Sequence, residues 1–489
     1  MRANGFKVAG RERWKTPGIG GPVRRSEKKS PFYGGGIMDR RCFKVLSPTA
    51  ILGYGFPEES FQNGMEKRPH SIAVDAGSTD PGPYYLGAGK SFTARAAVKR
   101  DLEIILAGAV DASIPAIVGT AGGCGARPHV EWTEAIIREI AREKRLTFRM
   151  AVIYADVPKE DVLRALRDGA VRPLHPAPEI GPEEVEKSVR IVAQMGAEPV
   201  LSAMRAGAQV ILCGRCYDPV PFAAPAIGEG FDPGLAVHMG KILECAAIAA
   251  TPGSGRDCVL GILHEDCFHL ESLNPRRAFT PLSTAAHTLY EKSNPYLLPG
   301  PGGAIDLRST RFEAVDDRTV SVSGTIFTPA HPYTIKLEGV KRTGFRTVSI
   351  AGVRDPVLIA QIDRVLDAVR KESEEDIGEE GTLLFHVYGK DGVMGALEPE
   401  RDRTPHEVGL VMEVIAADQE RADAICSHVR STLLHYGYPG RISTAGNLAL
   451  LYSPSDIPCG EVFEFNIYHL MEVDDPKRFF PVHVVEVTP

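Results

Sequence analysis

The sequence predicts an α/β protein with a mostly parallel sheet flanked by helices in a large N-terminal domain, and a smaller C-terminal α+β domain of ferredoxin-like type. Two observations predict this. From Lys44 to about residue 250, short β-rich runs alternate with segments of helix length, which is typical of βαβ units. From about residue 356, helix, strand, strand, helix and strand follow one another, which favours a small α+β sandwich. We therefore expect domains at 38–335 and 336–489.

The elements follow from apolar periodicity and from the Gly, Pro and Asn residues that separate the runs. In the N-terminal half we predict strands at 43–46, 71–74, 116–118, 148–154 and 210–213, and helices at 93–110, 131–144, 159–167 and 183–205. In the C-terminal half we predict helices at 356–372 and 419–436, strands at 382–388, 408–415, 462–470 and 482–487, and a charged loop at 371–380.

Composition narrows the class of protein. The 489 residues are 43% hydrophobic and 24% charged, as in ordinary globular proteins, and a net charge of -7 gives no sign of nucleic-acid binding. No apolar run approaches the roughly 20 residues that a membrane span needs. Residues 1–37 carry nine Lys or Arg against two Glu and are expected to be a disordered basic extension. Nine irregularly spaced cysteines indicate a reducing, cytoplasmic protein without disulfides.

Candidate functional residues follow the predicted strands, because ligands of parallel sheets bind at the carboxyl ends of the strands. Asp75 and Asp80 stand on a Gly/Pro-rich loop after the second strand, where a general base, a metal ligand or a substrate hydroxyl could be held. Asp80 is equally explained as a turn-capping residue.

The next loop is rich in glycine and precedes a helix, an arrangement in which backbone amides can receive an anion. It contains Gly122, Gly123 and Gly125, with Arg127 at the start of the helix. The spacing matches neither the dinucleotide fingerprint nor a P-loop. We therefore expect either a carboxylate or phosphate site or a tight structural turn.

Two further groups carry charge. Arg215 and Asp218 follow the strand at 210–213, where they could recognise a substrate carboxylate or pair with each other. His238, Lys241 and Glu244 fall on one face of an otherwise apolar helix. Buried charges must be paired, so Lys241 and Glu244 form either a structural ion pair or part of a proton-transfer site.

Several of these runs also resemble those of a known family. They are, in order, Asp75-Ala-Gly-Ser-Thr-Asp80-Pro-Gly-Pro83, Ala121-Gly122-Gly123, Gly214-Arg215 with Asp218, Ile242-Leu243-Glu244-Cys245, Leu289-Tyr290-Glu291 and Lys336-Leu337-Glu338-Gly339. In these the chain resembles the acyclic terpene utilisation (AtuA-type) family from about Lys44 to its C-terminus. The run Leu52-Gly53-Tyr54-Gly55-Phe56 departs from the Gly-Gly-Ala-Ser-Gly-Phe-type start of many members, which points to a divergent branch with another substrate.

The resemblance implies bacterial catabolism of branched acyclic terpenoids and related carboxylic acids or acyl-CoA esters. It also implies a large N-terminal domain and a ferredoxin-like C-terminal part, but it assigns no catalytic residue.

Our preferred hypothesis is a cytoplasmic lyase of the hydratase/dehydratase kind that acts on a carboxylate or its CoA thioester. Asp75 or Glu244 would be the base and His238 or Lys241 the acid, while Arg215 and the amides of the 122–125 loop would hold the anion. We expect a homo-oligomer that binds a small carboxylate or acyl-CoA and neither nucleic acid nor membrane, with no required cofactor or divalent metal.

Two alternatives remain open. One is an amide or thioester hydrolase with a metal at Asp75, Asp80 and His129 or His238. The other is a non-catalytic acyl-binding subunit that scaffolds a small partner enzyme.

Overall fold

The structure is a computed structural model that describes residues 41–290, 294–377, 381–442 and 444–489. The predicted extension 1–37 lies outside the described residues. The helices are α1 Glu58–Glu66, α2 Pro83–Ala88, α3 Arg95–Asp111, α4 Arg127–Lys144, α5 Lys159–Arg167, α6 Pro182–Lys187, α7 Ala197–Arg205, α8 Val220–Gly228, α9 Pro233–Leu243, α10 Pro281–Leu289, α11 Pro356–Ile359, α12 Ile362–Ile377 and α13 Gln419–His435.

The strands alternate with these helices in the first half of the chain and dominate the second. They are β1 Phe43–Ser47, β2 Ser71–Asp75, β3 Ala116–Gly119, β4 Phe148–Ile153, β5 Val171–Pro173, β6 Ser188–Ala193, β7 Val210–Cys213, β8 Val259–Leu263, β9 Cys267–Ser272, β10 Leu297–Gly300, β11 Gly303–Asp306, β12 Arg311–Ala314, β13 Thr319–Ser323, β14 Ile326–Pro329, β15 Thr334–Val353, β16 Gly381–Tyr388, β17 Val408–Ala416, β18 Ala449–Leu450, β19 Asp456–Glu472 and β20 Val482–Val487.

A ten-stranded sheet organises the N-terminal half, in the order β12-β13-β9-β8-β1-β2-β3-β7-β4-β20. Its five central strands, from β1 to β4, pair in parallel, and the strands outside them pair antiparallel. Strands β2, β3 and β7 are buried at every position, as expected for parallel strands covered on both faces. The predicted mixed α/β class with a largely parallel sheet is therefore confirmed.

Helices cover the two faces of this sheet and leave a topological switch point at its centre, which we call the crevice. On one face, α1, α3 and α4 pack on residues such as Ile72 and Val118. On the other face, α5, α7, α8 and α9 pack on residues such as Ala73 and Ile117. The chain leaves β3 toward the first face and leaves the adjacent β7 toward the second, and the crevice lies where these two paths diverge.

A second sheet has the order β16-β17-β15-β19-β5, with β6 and β18 also pairing with β15. Its strands β15, β16, β17 and β19 are antiparallel neighbours, and the chain passes through them as β15, α12, β16, β17, α13, β19. The strands β5 and β6 come from the N-terminal half, whereas the C-terminal β20 pairs with β4. Each sheet thus takes strands from both sides of the predicted domain boundary at 335/336. This boundary stays a prediction.

Two of the sequence predictions are wrong locally. The helix predicted at 183–205 is divided into α6, β6 and α7, because a segment that includes the β-branched residues Ile191 and Val192 pairs with β15. The charged tract predicted to be a loop continues α12 as far as Ile377. At β6, pairing with β15 outweighs the local helical pattern. In the charged tract, the helix α12 continues where the composition predicted a loop. Throughout the described ranges, each helix is too short or too polar to cross a bilayer.

Candidate functional site

The carboxyl ends of β2, β3 and β7 bring three polar residues to the central crevice. Asp75 ends β2 and is aligned with Gly119, the last residue of β3. Thr120 follows β3, and Arg215 lies two residues beyond the end of β7. The parallel order of the strands therefore collects residues that lie up to 140 positions apart in the sequence.

Arg215 is the centre of a buried hydrogen-bond network. Its side chain is 2% exposed, and its Nη1 donates to Asp218 Oδ1 at 2.7 Å, to the Cys216 carbonyl at 2.6 Å and to Thr120 Oγ1 at 3.4 Å. Its Nε donates to Glu338 Oε2 at 2.7 Å. The guanidinium plane is thus fixed from several directions, and Arg215 stays charged because Glu338 and Asp218 outweigh the effect of burial on its pKa.

Glu338 also belongs to this cluster, although no local sequence pattern predicted a role for it. It lies on β15 and is fully buried, and its Oε1 also accepts from Lys336 Nζ at 2.7 Å. Burial acts to raise its pKa, but Arg215 and Lys336 together lower the pKa to about 2. The available signal was the spacing of Lys336 and Glu338, two residues apart in a strand and therefore on one face.

Asp75 is the least neutralised carboxyl of the cluster. It is 7% exposed, and its Oδ1 has no hydrogen-bond partner among the described residues. Burial raises its pKa well above the usual value, and the negative charges of Asp218 and Glu244 raise it further, against the lowering effects of Arg215 and the Gly77 amide. Asp75 is therefore the carboxyl of this group whose protonated form is most favoured, which makes it the candidate proton-transfer group.

Lys241 and Glu244, at the C-terminal end of α9, form a buried ion pair, with 9% and 6% of their side chains exposed. Burial acts to lower the pKa of Lys241, but the adjacent Glu244 carboxylate raises it above its ordinary value, so the ammonium group stays charged. The Lys241 ammonium also lies 5.4 Å from the centre of the Tyr290 ring, whose hydroxyl is 3.5 Å from Cys245 Sγ.

His238 points elsewhere than its helix neighbours Lys241 and Glu244. Its Nδ1 lies 2.7 Å from Thr325 Oγ1, its Nε2 lies 3.0 Å from Thr288 Oγ1, and its ring packs edge-on against Phe268 and Phe312. Helical spacing thus brings Lys241 and Glu244 to the charged cluster, while His238 joins a threonine and aromatic network.

The glycine loop supports the site through its backbone. Gly125 has a φ of +67°, and a Cβ atom there would lie 2.2 Å from the Arg215 nitrogen, so only glycine lets the two loops meet. The amides of Gly123 and Gly125 donate within the loop, to the carbonyls of Thr120 and Ala121. These two amides are consequently engaged without a ligand. A Cβ atom at Gly122 would lie 2.7 Å from the Cβ of His129, so this position is crowded as well.

Thr120 stands out in this loop for its backbone. Its φ of +44° is unusual for a β-branched residue, and such conformations persist where the surroundings impose them, often at functional sites. Its hydroxyl accepts from the Cys216 amide at 3.3 Å as well as from Arg215. Thr120 therefore fixes the β3 and β7 loops against each other.

Asp80 and Arg127 are more exposed than the residues of the buried cluster. Asp80 is exposed. Burial raises the pKa of the Cys124 thiol, the negative charge of Asp80 also raises it, and Arg215 lowers it. The Arg127 guanidinium is half-exposed, stacks 4.0 Å from the centre of the Tyr154 ring and pairs with Glu131 at 3.7 Å. The Arg127 side chain thus belongs to a neighbouring surface.

The alternative metal site gains no geometric support. His129 Nε2 lies 3.2 Å from the carbonyls of Tyr85 and Lys90, and desolvation lowers its pKa to about 4. Within the part of the chain that the structure describes, no group of three or more His, Cys, Asp or Glu side chains could hold a metal ion. Cys213 and Cys216 are buried free thiols, and burial together with Cys213 raises the pKa of Cys216.

Comparison with known proteins gives one match. A family model described as acyclic terpene utilisation family protein AtuA matches residues 94–254 and 276–450, which make up more than half of the chain. The matched segments contain Arg215, Lys241, Glu244 and Glu338, whereas Asp75 precedes them. No curated protein and no solved structure matches the chain.

Proposed function

We infer the function from the premise that the chain belongs to the acyclic terpene utilisation (AtuA) family. We propose that it acts in the catabolism of acyclic terpenoids or related acids. We further propose that it is a lyase that adds water to, or removes it from, a carboxylic acid or its CoA thioester. The observation that carries the reaction type is Asp75, a buried carboxyl with a raised pKa, which feels the charge of Arg215 and has one oxygen without a hydrogen-bond partner among the described residues.

Hydration and dehydration next to a carbonyl require a proton to be moved while negative charge develops on oxygen. Asp75 supplies the proton-transfer group in this proposal. Arg215 and Lys241 keep their positive charges at the same crevice, and they stabilise the carboxylate or developing enolate. Because both ring nitrogens of His238 are hydrogen-bonded to threonines, we assign that residue a structural role.

The order of strands and helices from β15 to β19 supports a second proposal, that this part of the chain is a ferredoxin-like sandwich. Two β-α-β passages place β17 between β15 and β16 and place β15 between β17 and β19, which is the arrangement of that fold. In this proposal the sandwich contributes Glu338 and Lys336 to the site through its first strand.

Asp75→Asn tests the reaction. The purified protein would be incubated with 3-methylbut-2-enoyl-CoA and with 3,7-dimethylocta-2,6-dienoyl-CoA, and loss of the conjugated thioester would be followed by its ultraviolet absorbance. Because general acid–base groups contribute about 100- to 10,000-fold, we expect kcat to fall by at least about 100-fold.

Asp156→Asn is the matched control. Asp156 lies just beyond β4 at the same edge of the sheet, and burial also raises its pKa, but its Oδ2 accepts from the Arg127 amide at 2.9 Å. The control variant should keep its activity. Full activity in a folded Asp75→Asn protein would refute the proposed reaction, and release of free CoA thiol by the wild type would favour the hydrolase.

A further inference from the structure

A cavity of about 310 Å³ lies between α7, α8, α9 and the strands β10 and β11. Its wall is mainly apolar and includes Leu201, Val220, Ile227, Val237, Leu298 and Phe327. One wall comprises the exposed residues Ala330 and His331, so this side faces solvent. Pockets of this size with few polar groups are typical ligand sites.

Tyr217 connects this cavity to the charged cluster. Its ring lines the cavity and packs on Gly300, where a Cβ atom would come within 2.6 Å of it. The residue directly precedes Asp218, and burial and the Glu244 carboxylate raise the pKa of its hydroxyl, while Lys241 acts in the opposite direction. The ring of Tyr217 thus lines the apolar cavity, and its hydroxyl lies within the electrostatic influence of Glu244 and Lys241.

We propose that this cavity binds the branched aliphatic chain of the substrate, with the carboxyl or thioester head directed past Tyr217 toward Lys241 and Arg215. The Glu198 carboxylate in the wall already accepts a hydrogen bond from the Tyr333 hydroxyl at 2.9 Å, which favours an apolar occupant. The inference rests on the proposed function for the head group of the substrate. It adds the site at which the aliphatic part of the substrate binds and the kind of aliphatic chain that it carries.

The proposal gives a measurable dependence on chain length. Each methylene buried in an apolar site contributes about fourfold in affinity, which corresponds to about 0.8 kcal/mol. Octanoic acid should therefore bind roughly two hundredfold more tightly than butanoic acid, and 3,7-dimethyloctanoic acid should bind at least as tightly as octanoic acid. Isothermal titration of the full chain with these three acids measures this without requiring turnover.

Val237→Phe fills the cavity from α9 and should reduce the affinity for octanoic and 3,7-dimethyloctanoic acids at least about tenfold, with little effect on butanoic acid. Val189→Phe, at a half-exposed position on β6 outside the cavity wall, is the matched control and should leave all three affinities unchanged. If Val237→Phe fails to fold, Leu201→Phe fills the same space from α7.

The outcomes separate this inference from the proposed reaction. Chain-length dependence that disappears in Val237→Phe supports the cavity assignment even if Asp75→Asn keeps full activity. Affinity that is independent of chain length, or unchanged in the folded Val237→Phe and Leu201→Phe proteins, overturns the cavity assignment even if Asp75→Asn is inactive.

Discussion

Replacing Glu338 with Gln keeps the shape of the side chain and removes the deepest negative charge of the site. Glu338 is fully buried and bonded to both Arg215 and Lys336, so the variant leaves two cations with less compensation. The folded-state pKa of about 2 lies below the ordinary 4.5. At about 1.4 kcal/mol for each pH unit, this difference corresponds to about 3 kcal/mol of stability. Breaking a buried pair by removing one partner has a cost of the same order, about 3–5 kcal/mol.

The sign follows from the lowered pKa of Glu338. Its stabilisation is fully present above pH 4.5, where the unfolded chain is also ionised, and it decreases as the pH falls through 4.5 toward about 2. Urea unfolding followed by circular dichroism should therefore show a wild-type advantage of about 3 kcal/mol at pH 7. The advantage should be smaller by about 1 kcal/mol at pH 3.5.

Glu461→Gln provides the control for this experiment. Glu461 pairs with Arg342 at 3.0 Å, but both side chains are substantially exposed, so the change should alter the free energy of unfolding by less than about 1 kcal/mol. Equal stability of Glu338→Gln and the wild type at pH 7, or a loss that does not vary with pH, would show that Glu338 does not neutralise Arg215 as described.

Three further predictions concern the same region. Gly125→Ala should lower the free energy of unfolding by more than about 1 kcal/mol, because of the positive φ and the contact with Arg215; thermal melting with Gly230→Ala as an uncrowded positive-φ control would check this. Asp75→Asn should raise stability at pH 7, since its raised pKa destabilises the ionised fold, and the gain should vanish below pH 3.8 in urea titrations. In native alkylation read by mass spectrometry, the exposed Cys459 should react well before the buried Cys216, and equal labelling would contradict the described burial.

The sequence was sufficient to predict most elements and to bring together part of the candidate site, because both depend on local patterns. Apolar runs bounded by loop residues located the parallel strands, and residues that follow such strands, Asp75 and Arg215, meet at one edge of the sheet. The spacing of Lys241 and Glu244 likewise predicted their common face.

The remaining features depend on contacts between distant segments. Nothing near Glu338 in the sequence reveals that it pairs with Arg215, 123 positions away. His238 has the same helical phase as Lys241, yet the threonines that bind its ring come from two other segments. The β6 run was assigned to a helix because its partner, β15, lies far along the chain.

The single strand β15 has a consequence for the evolution and engineering of this chain. Its first residues carry Lys336 and Glu338 into the crevice, and its last residues pair with β17 under α13. A protein that ended at residue 335 would lack Glu338. The Arg215 guanidinium would then lose its fully buried carboxylate partner. The two halves therefore cannot be recombined independently with those of a homologue, and a loop graft or fusion should leave this strand intact.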